Sequence, residues 1–225
     1  MTDGANPIGG LVQAADGDFY GTTAFGGAGG YGTVFRMTPL GSLTTVHSFD
    51  GGDGANPSAE LMQATDGNLY GTTAVGGAYN EGTIFAITPQ GSLTTLHSFD
   101  GIGGASPYGG LVQDTDGSLY GTTYSGGFVS CGSALCGTVF RLSLGLQPFL
   151  KTLPASGKEG APVKILGTNL TGATAVSFHG TAAVFTVVSG AEISTRVPVG
   201  ATSGEVKVTT ATSTLSSNVP FEVRP

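Results

Sequence analysis

The chain of 225 residues has no tryptophan, only two cysteines, and charged side chains at 10% of its positions. No lysine precedes Lys151, and no apolar run approaches the length of a membrane-spanning helix. Each shortage narrows the function. Residues 1–150 hold two basic side chains, Arg36 and Arg141, against eleven acidic ones, a net charge of −9; the remainder carries +2. An acidic segment without lysine cannot neutralise a phosphate backbone, so no nucleic acid partner is expected; cations or neutral polymers suit it better. Two cysteines with no further Cys or His ligand beside them do not make a zinc site. Cys131 and Cys136 stand close together in a Gly/Ser-rich loop, where a local disulfide is expected in an oxidising compartment. The start, Met1-Thr2-Asp3-Gly4, has neither a basic leader nor an apolar run. It reads as a mature piece, or an internal start, of a secreted or bacterial cell-surface protein.

What is abundant is glycine, 40 residues, together with 39% apolar residues in short alternating patches. That mixture favours a tightly turned β protein over a disordered chain. Self-similarity is the strongest signal. Gly4-Ala5-Asn6-Pro7 returns as Gly54-Ala55-Asn56-Pro57 and Gly104-Ala105-Ser106-Pro107, and Tyr20-Gly21-Thr22-Thr23 returns at Tyr70 and Tyr120. The repeats run over about 4–53, 54–103 and 104–144. Within the first, Leu11 to Ala15, Phe19 to Thr23, Thr33 to Thr38 and Leu43 to Phe49 are rich in β-branched and aromatic residues and separated by turn chemistry. Asp16-Gly17 suits a tight hairpin, and Thr38-Pro39-Leu40-Gly41-Ser42 a second turn.

Four hairpin-linked strands per repeat predict an all-β domain, 1–144, of three propeller-blade-like units, with a β-trefoil as the alternative. The third repeat inserts five residues around Cys131 to Cys136 and loses its fourth strand after Leu142. Three units do not close a propeller, so a homodimer or a longer repeat array is expected to complete it. From about Leu144 the period ends. Short alternating strands at Val163 to Gly167, Ala175 to Phe178, Phe185 to Val187, Ile193 to Val197, Val206 to Val208 and Phe221 to Val223 predict a separate β-sandwich over 145–225.

The motifs Gly-Leu-Val-Gln, Asp-Gly, Tyr-Gly-Thr-Thr, Gly-Thr-Val-Phe and Leu-Thr-Thr-Val-His-Ser-Phe resemble the Gly/Val-rich, GloVer-type tandem repeats of bacterial extracellular proteins. The resemblance covers residues 4 to about 142. It implies an exported β-rich array and brings no general activity with it. Residues 145–225 resemble an IPT/TIG immunoglobulin-like domain through Gly-Thr-Asn-Leu-Thr-Gly-Ala, Val-Ser-Phe-His-Gly and Val-Pro-Val-Gly-Ala. This implies a spacer or docking role.

Alternating strands put the Asp-Gly and Pro-x-Gly-Ser turns at one end of each sheet and the longer connections at the other, where binding residues usually collect. That end carries Asp50, Asp53, Asn56, Glu60, Tyr79, Glu81, Asp100, Tyr108, Tyr124 and the Cys131 loop, with His47 and His97 close by. Asp16, Asp66 and Asp116 belong to tight turns, and the recurrent Tyr20, Tyr70 and Tyr120 to packing. The residues that break the symmetry are more informative. Glu60 and Glu81 are the only glutamates of the repeats and both lie in the second.

Two functions follow from these residues. One is a binding or structural module engaging glycans through Tyr31, Tyr79, Tyr108 and Tyr124, since all seven tyrosines lie in the repeats and no tryptophan is present. The other is a calcium-dependent hydrolase, a lactonase, esterase or glycan-cleaving enzyme. In it Asp50, Asp53 and Asp100 would hold Ca2+ while Glu60, Glu81 and His97 serve as acid and base. No nucleophile elbow, His-Glu-x-x-His or phosphate loop is present.

Overall fold

Turn-forming residues cut each repeat into strands too short to pair with anything but their neighbours, and a meander results. The computed structural model describes residues 4–127 and 136–225. In the first repeat Val12–Gln13, Phe19–Thr23, Thr33–Met37 and Leu43–Ser48 form one antiparallel sheet in chain order. Met62–Gln63, Leu69–Thr73, Thr83–Ile87 and Leu93–Ser98 repeat it. The third sheet has three strands, Val112–Gln113, Leu119–Thr122 and Val139–Leu142. Among the described residues no ladder joins strands of different repeats. A β-trefoil barrel would require such ladders, so the alternative drawn from the three-fold period does not apply.

The Asp-Gly hairpin closes through the Ala14 amide on the Asp18 carbonyl at 2.9 Å, with the Asp16 carboxylate accepting the Asp18 amide at 3.0 Å. In Tyr-Gly-Thr-Thr the glycine is required by close approach. A Cβ on Gly71 would lie 2.6 Å from the Phe85 ring and 2.7 Å from Leu61 Cδ2, both of which cross it. The last threonine of the motif is equally constrained: Thr73 and Thr83 hydroxyls meet at 2.9 Å, buried, as Thr23 and Thr33 do at 2.8 Å.

Successive sheets stack face to face. Phe49, at the end of the first sheet, meets Phe85 of the second edge-on at 5.2 Å, and Phe99 meets Phe140 of the third at the same distance. Ala14, Tyr20, Val34 and Phe49 share one buried cluster with Leu61, Leu69, Phe85 and Ile87. Fully burying such a side chain stabilises by about 1.5–3 kcal/mol, so these junctions hold the repeats together. Polar bonds fix the register. The Gln63 side-chain oxygen accepts the Ala15 amide at 2.8 Å, and Gln113 accepts that of Thr65 at 3.1 Å. The Thr22 and Thr72 hydroxyls donate to the Ala59 and Gly109 carbonyls of the following repeat at 3.1 and 3.2 Å.

The chain divides into two compact units, 1–113 with 119–142, and 114–118 with 143–225. In the second unit Lys151–Leu153, Pro162–Leu166, Glu192–Arg196 and Phe185–Ser189 form one four-stranded sheet. Thr181–Ala182, Ala173–Phe178, Val206–Thr210 and Thr214–Ser216 form another. Alternate residues point inward, as the two-residue period of a strand dictates. Val163, Ile165 and Ile193 of the first sheet and Val176, Phe178, Val206, Val208 and Leu215 of the second enter one core with Leu150, Leu170 and Phe221. The described residues contain no α-helix, only the 3-10 turn Leu170–Gly172, and no helix long and apolar enough to cross a membrane.

Candidate functional site

The strand order brings the connection between the second and third strands of one repeat against the entry segment of the next. At the first junction the Asn56 amide donates to the Tyr31 carbonyl at 2.9 Å, and its carbonyl accepts the Ala74 amide at 3.1 Å. At the second, the Ser106 amide donates to the Glu81 carbonyl at 2.9 Å and its carbonyl accepts the Tyr124 amide at 3.0 Å. Asn56 and Ser106 both bridge in the left-handed region, with φ of 55° and 52°. Asparagine adopts that region readily and serine less so. Sequence reasoning placed Asn56 on the long-loop end and did not single out Ser106; the recurrence of Gly-Ala-(Asn/Ser)-Pro is the signal that marks the bridging position.

The two junctions share a backbone and differ in side chains. Tyr31, Ser58 and Ala74 stand around Asn56; Glu81, Tyr108 and Tyr124 stand around Ser106. Tyr108 and Tyr124 are 53% and 61% exposed, with ring centroids 5.8 Å apart and planes at 78°. Two exposed rings nearly at right angles form a corner with apolar walls and hydroxyl tips. Tyr79, 63% exposed, lies two residues before Glu81 on the same connection. Tyr31 belongs to the first junction, where its ring lies over Gly51. Of the four tyrosines expected to bind a ligand, the structure brings Tyr108 and Tyr124 into ring contact at the second junction and leaves Tyr31 at the first.

The acidic residues have a different environment. Asp50 accepts the Gly52 and Asp53 amides at 2.8 and 3.0 Å, and Asp53 returns a bond to the Asp50 amide at 3.0 Å. Asp100 accepts the Gly103 amide at 2.7 Å. The Asp53 amide above all holds the Asp50 carboxyl below its ordinary 3.8, and the Gly103 amide does the same for Asp100. These carboxylates close Gly-rich turns. Among the described residues no three His, Cys, Asp or Glu side chains converge on one point.

His47 meets Asp53 at 2.7 Å and packs edge-on against Phe49 at 5.1 Å. In the second repeat Gly103 replaces Asp53, and His97 keeps the ring contact, 4.9 Å from Phe99. Glu60 is exposed, with its carboxylate beside Gly10 of the preceding repeat. Among the described residues no hydrogen bond, ion pair or ring contact joins Glu60, Glu81 and His97 to one another. The Cys131–Cys136 pairing depends on Cys131, which lies outside the described residues.

The second unit carries a groove of about 570 Å3 lined by Pro162, Val184, Phe185, Arg196, Val197 and Val199. Val184 and Val199 are exposed there.

Stacked sheets linked at fifty-residue intervals define a tandem β-repeat protein. The chain belongs to the Gloeobacter/Verrucomicrobia repeat family, which it matches over residues 1–190. That match runs past the last periodic strand into the second unit. No curated relative matches the chain. Among solved structures it is similar to a fungal alcohol oxidase in complex with copper, at 15% identity and a TM-score of 0.44, covering 100% of this chain and 55% of that one. It is also similar to a gluconolactonase from Xanthomonas campestris, at 12% identity and a TM-score of 0.44, covering 100% and 78%. A third is virginiamycin B lyase from Staphylococcus aureus, at 12% identity and a TM-score of 0.37, covering 98% and 71%. The chain thus spans about half the length of the first of these.

Proposed function

We propose that this is an exported bacterial module that binds glycans at the junction of its second and third repeats. The observation that carries the reading is the exposed Tyr108–Tyr124 corner. The equivalent positions hold Ile8 and Ala24 in the first repeat and Ser58 and Ala74 in the second, so the scaffold does not need tyrosine there. An aromatic wall offers large contact area at small rotamer cost, and its hydroxyl tip can meet a sugar hydroxyl. Glu81, bonded through its carbonyl to Ser106, adds a carboxylate on the same connection. The acidic, lysine-free surface suits a neutral polysaccharide better than an anionic one.

The calcium-dependent hydrolase has less support, because no three carboxylate or imidazole side chains converge on one point among the described residues. We read the second unit as the immunoglobulin-like spacer or docking domain, on its two sheets around one core and its apolar groove. Titration calorimetry against neutral oligosaccharides found on a glycan array tests the binding reading. Tyr108→Ala and Tyr124→Ala each weaken binding about tenfold or more while the circular dichroism spectrum stays unchanged. Equal affinity in wild type and both variants, or no bound glycan at all, overturns it.

A further inference from the structure

A strand at the edge of a sheet leaves a row of backbone N–H and C=O groups unpaired, and proteins usually blunt it with charge, proline or brevity. Three edges of the second unit follow that rule. Lys151–Leu153 opens with a lysine, runs into Pro154, and is tied at Leu150 to Ser216 and Asn218 at 2.9 and 3.2 Å. Thr214–Ser216 shares that tie, and Thr181–Ala182 has only two residues. Phe185–Ser189 does not follow it. This five-residue strand closes the far edge of the first sheet and pairs with Glu192–Arg196 alone. From Gly180 to Ala191 the chain has no charged side chain and no proline. The one irregularity is a bulge between Val187 and Ser189, at the end of the strand.

The side chains of this segment alternate. Ala183, Phe185 and Val187 pack against the core, while Val184, Thr186 and Val188 are exposed. Val184 is 93% exposed and Val188 59%. An open edge rich in β-branched residues, with apolar side chains left in water on either side of a threonine, is a surface that an added strand covers.

The strand that fits it is the same segment of a second copy. Residues directly opposite each other in an antiparallel pair lie on one face of the sheet. With a two-fold axis at Thr186, that residue meets its own copy and Val184 meets the partner's Val188, so the two exposed valines cover each other. On the core side Phe185 meets the partner's Val187. A two-fold contact also brings any charge near the axis against itself, and residues 180–191 carry none.

We propose that two copies of this chain pair edge to edge through antiparallel Phe185–Ser189 strands, joining their four-stranded sheets into one continuous sheet about a two-fold axis at Thr186. The inference goes beyond a spacer role for the second unit; it is independent of the glycan reading and uses none of its residues.

Sedimentation velocity on the full chain, followed to about 1 mM, tests it, and the expected species has twice the chain mass. Thr186→Lys and Thr186→Glu each set like charges opposite one another across the axis. Each should raise the dissociation constant about fivefold or more at low salt, with the circular dichroism spectrum and melting behaviour of the monomer unchanged, because Thr186 is exposed. An equimolar mixture of the two variants sets Lys opposite Glu and should restore association. A monomer throughout the concentration range overturns the proposal. So does a dimer that ignores both substitutions, or one that both weaken and mixing does not restore, since neither contact places residue 186 opposite itself.

Discussion

The Tyr70 hydroxyl donates to the Asp66 carboxylate at 2.8 Å, tying the second strand of its sheet to the hairpin turn four residues earlier. Tyr20 and Asp16 make the same bond at the same length in the first repeat. Burial, then the bonded carboxylate, pushes both phenols up from 10.0 to about 12. Between these values the folded chain keeps two protons that the unfolded chain releases. The stability they contribute is therefore complete below pH 10 and is lost as the pH rises toward 12. Urea unfolding measured across that window should show a fall in stability that the double variant Tyr20→Phe, Tyr70→Phe flattens. Each Tyr→Phe substitution alone should cost about 1.5 kcal/mol at neutral pH.

The stacked phenylalanines should be the largest single contributors to the repeat unit. Phe49→Ala opens a cavity against Phe85 at a site 1% exposed, and Phe99→Ala does so against Phe140. Each should destabilise by about 3–5 kcal/mol in chemical denaturation. Leu40→Ala, at a turn side chain 98% exposed, should change stability by less than about 0.5 kcal/mol.

Backbone conformation at the junctions gives a prediction of opposite sign. Ser106 occupies a left-handed conformation that Asn6 and Asn56 occupy in the other repeats. Ser106→Asn should raise stability by up to about 1 kcal/mol, read as a shift in the denaturation midpoint with unchanged slope. At Gly82, where φ is 96°, an added Cβ would run into the Thr73 carbonyl and Pro107. Gly82→Ala should therefore cost more than about 1 kcal/mol.

The tyrosine corner should not be portable to the first junction. Ala74, at the position equivalent to Tyr124, is 2% exposed, whereas Tyr124 is 61% exposed. Ser58→Tyr combined with Ala74→Tyr should therefore overpack that junction and destabilise the protein by about 1–3 kcal/mol in chemical denaturation. A double variant as stable as the wild type counts against this reading of the junction.

Much of the repeat was legible because its punctuation is local. The strand expected at Phe19 to Thr23 forms over those residues, and that expected at Leu43 to Phe49 forms over Leu43–Ser48. The first strand, expected over Leu11 to Ala15, pairs only at Val12–Gln13, because the Asp-Gly turn already begins with the Ala14 carbonyl. The site was less legible. Tyr108 and Tyr124 are sixteen residues apart, and the pairing of Ala105 with Ser125 and of Ser106 with Tyr124 makes them neighbours. Asp50 and Asp53 fit a metal-ligand pattern by composition. Their spacing in a Gly-rich turn is also that of carboxylates bonding nearby amides, and the structure shows those bonds. His47 and His97, expected close to the long-loop end, contact Phe49 and Phe99.

Since every junction is held by main-chain groups, recurrent Gln and Thr side chains and stacked phenylalanines, positions 58 and 108, neither of them buried, are free to vary without disturbing the stack. Recognition can then diverge one socket at a time: a lineage that alters a single pair of side chains changes what that socket accepts while its neighbours keep their old preference. An array built this way could accumulate several specificities along one polypeptide, with the number of repeats setting how many it displays.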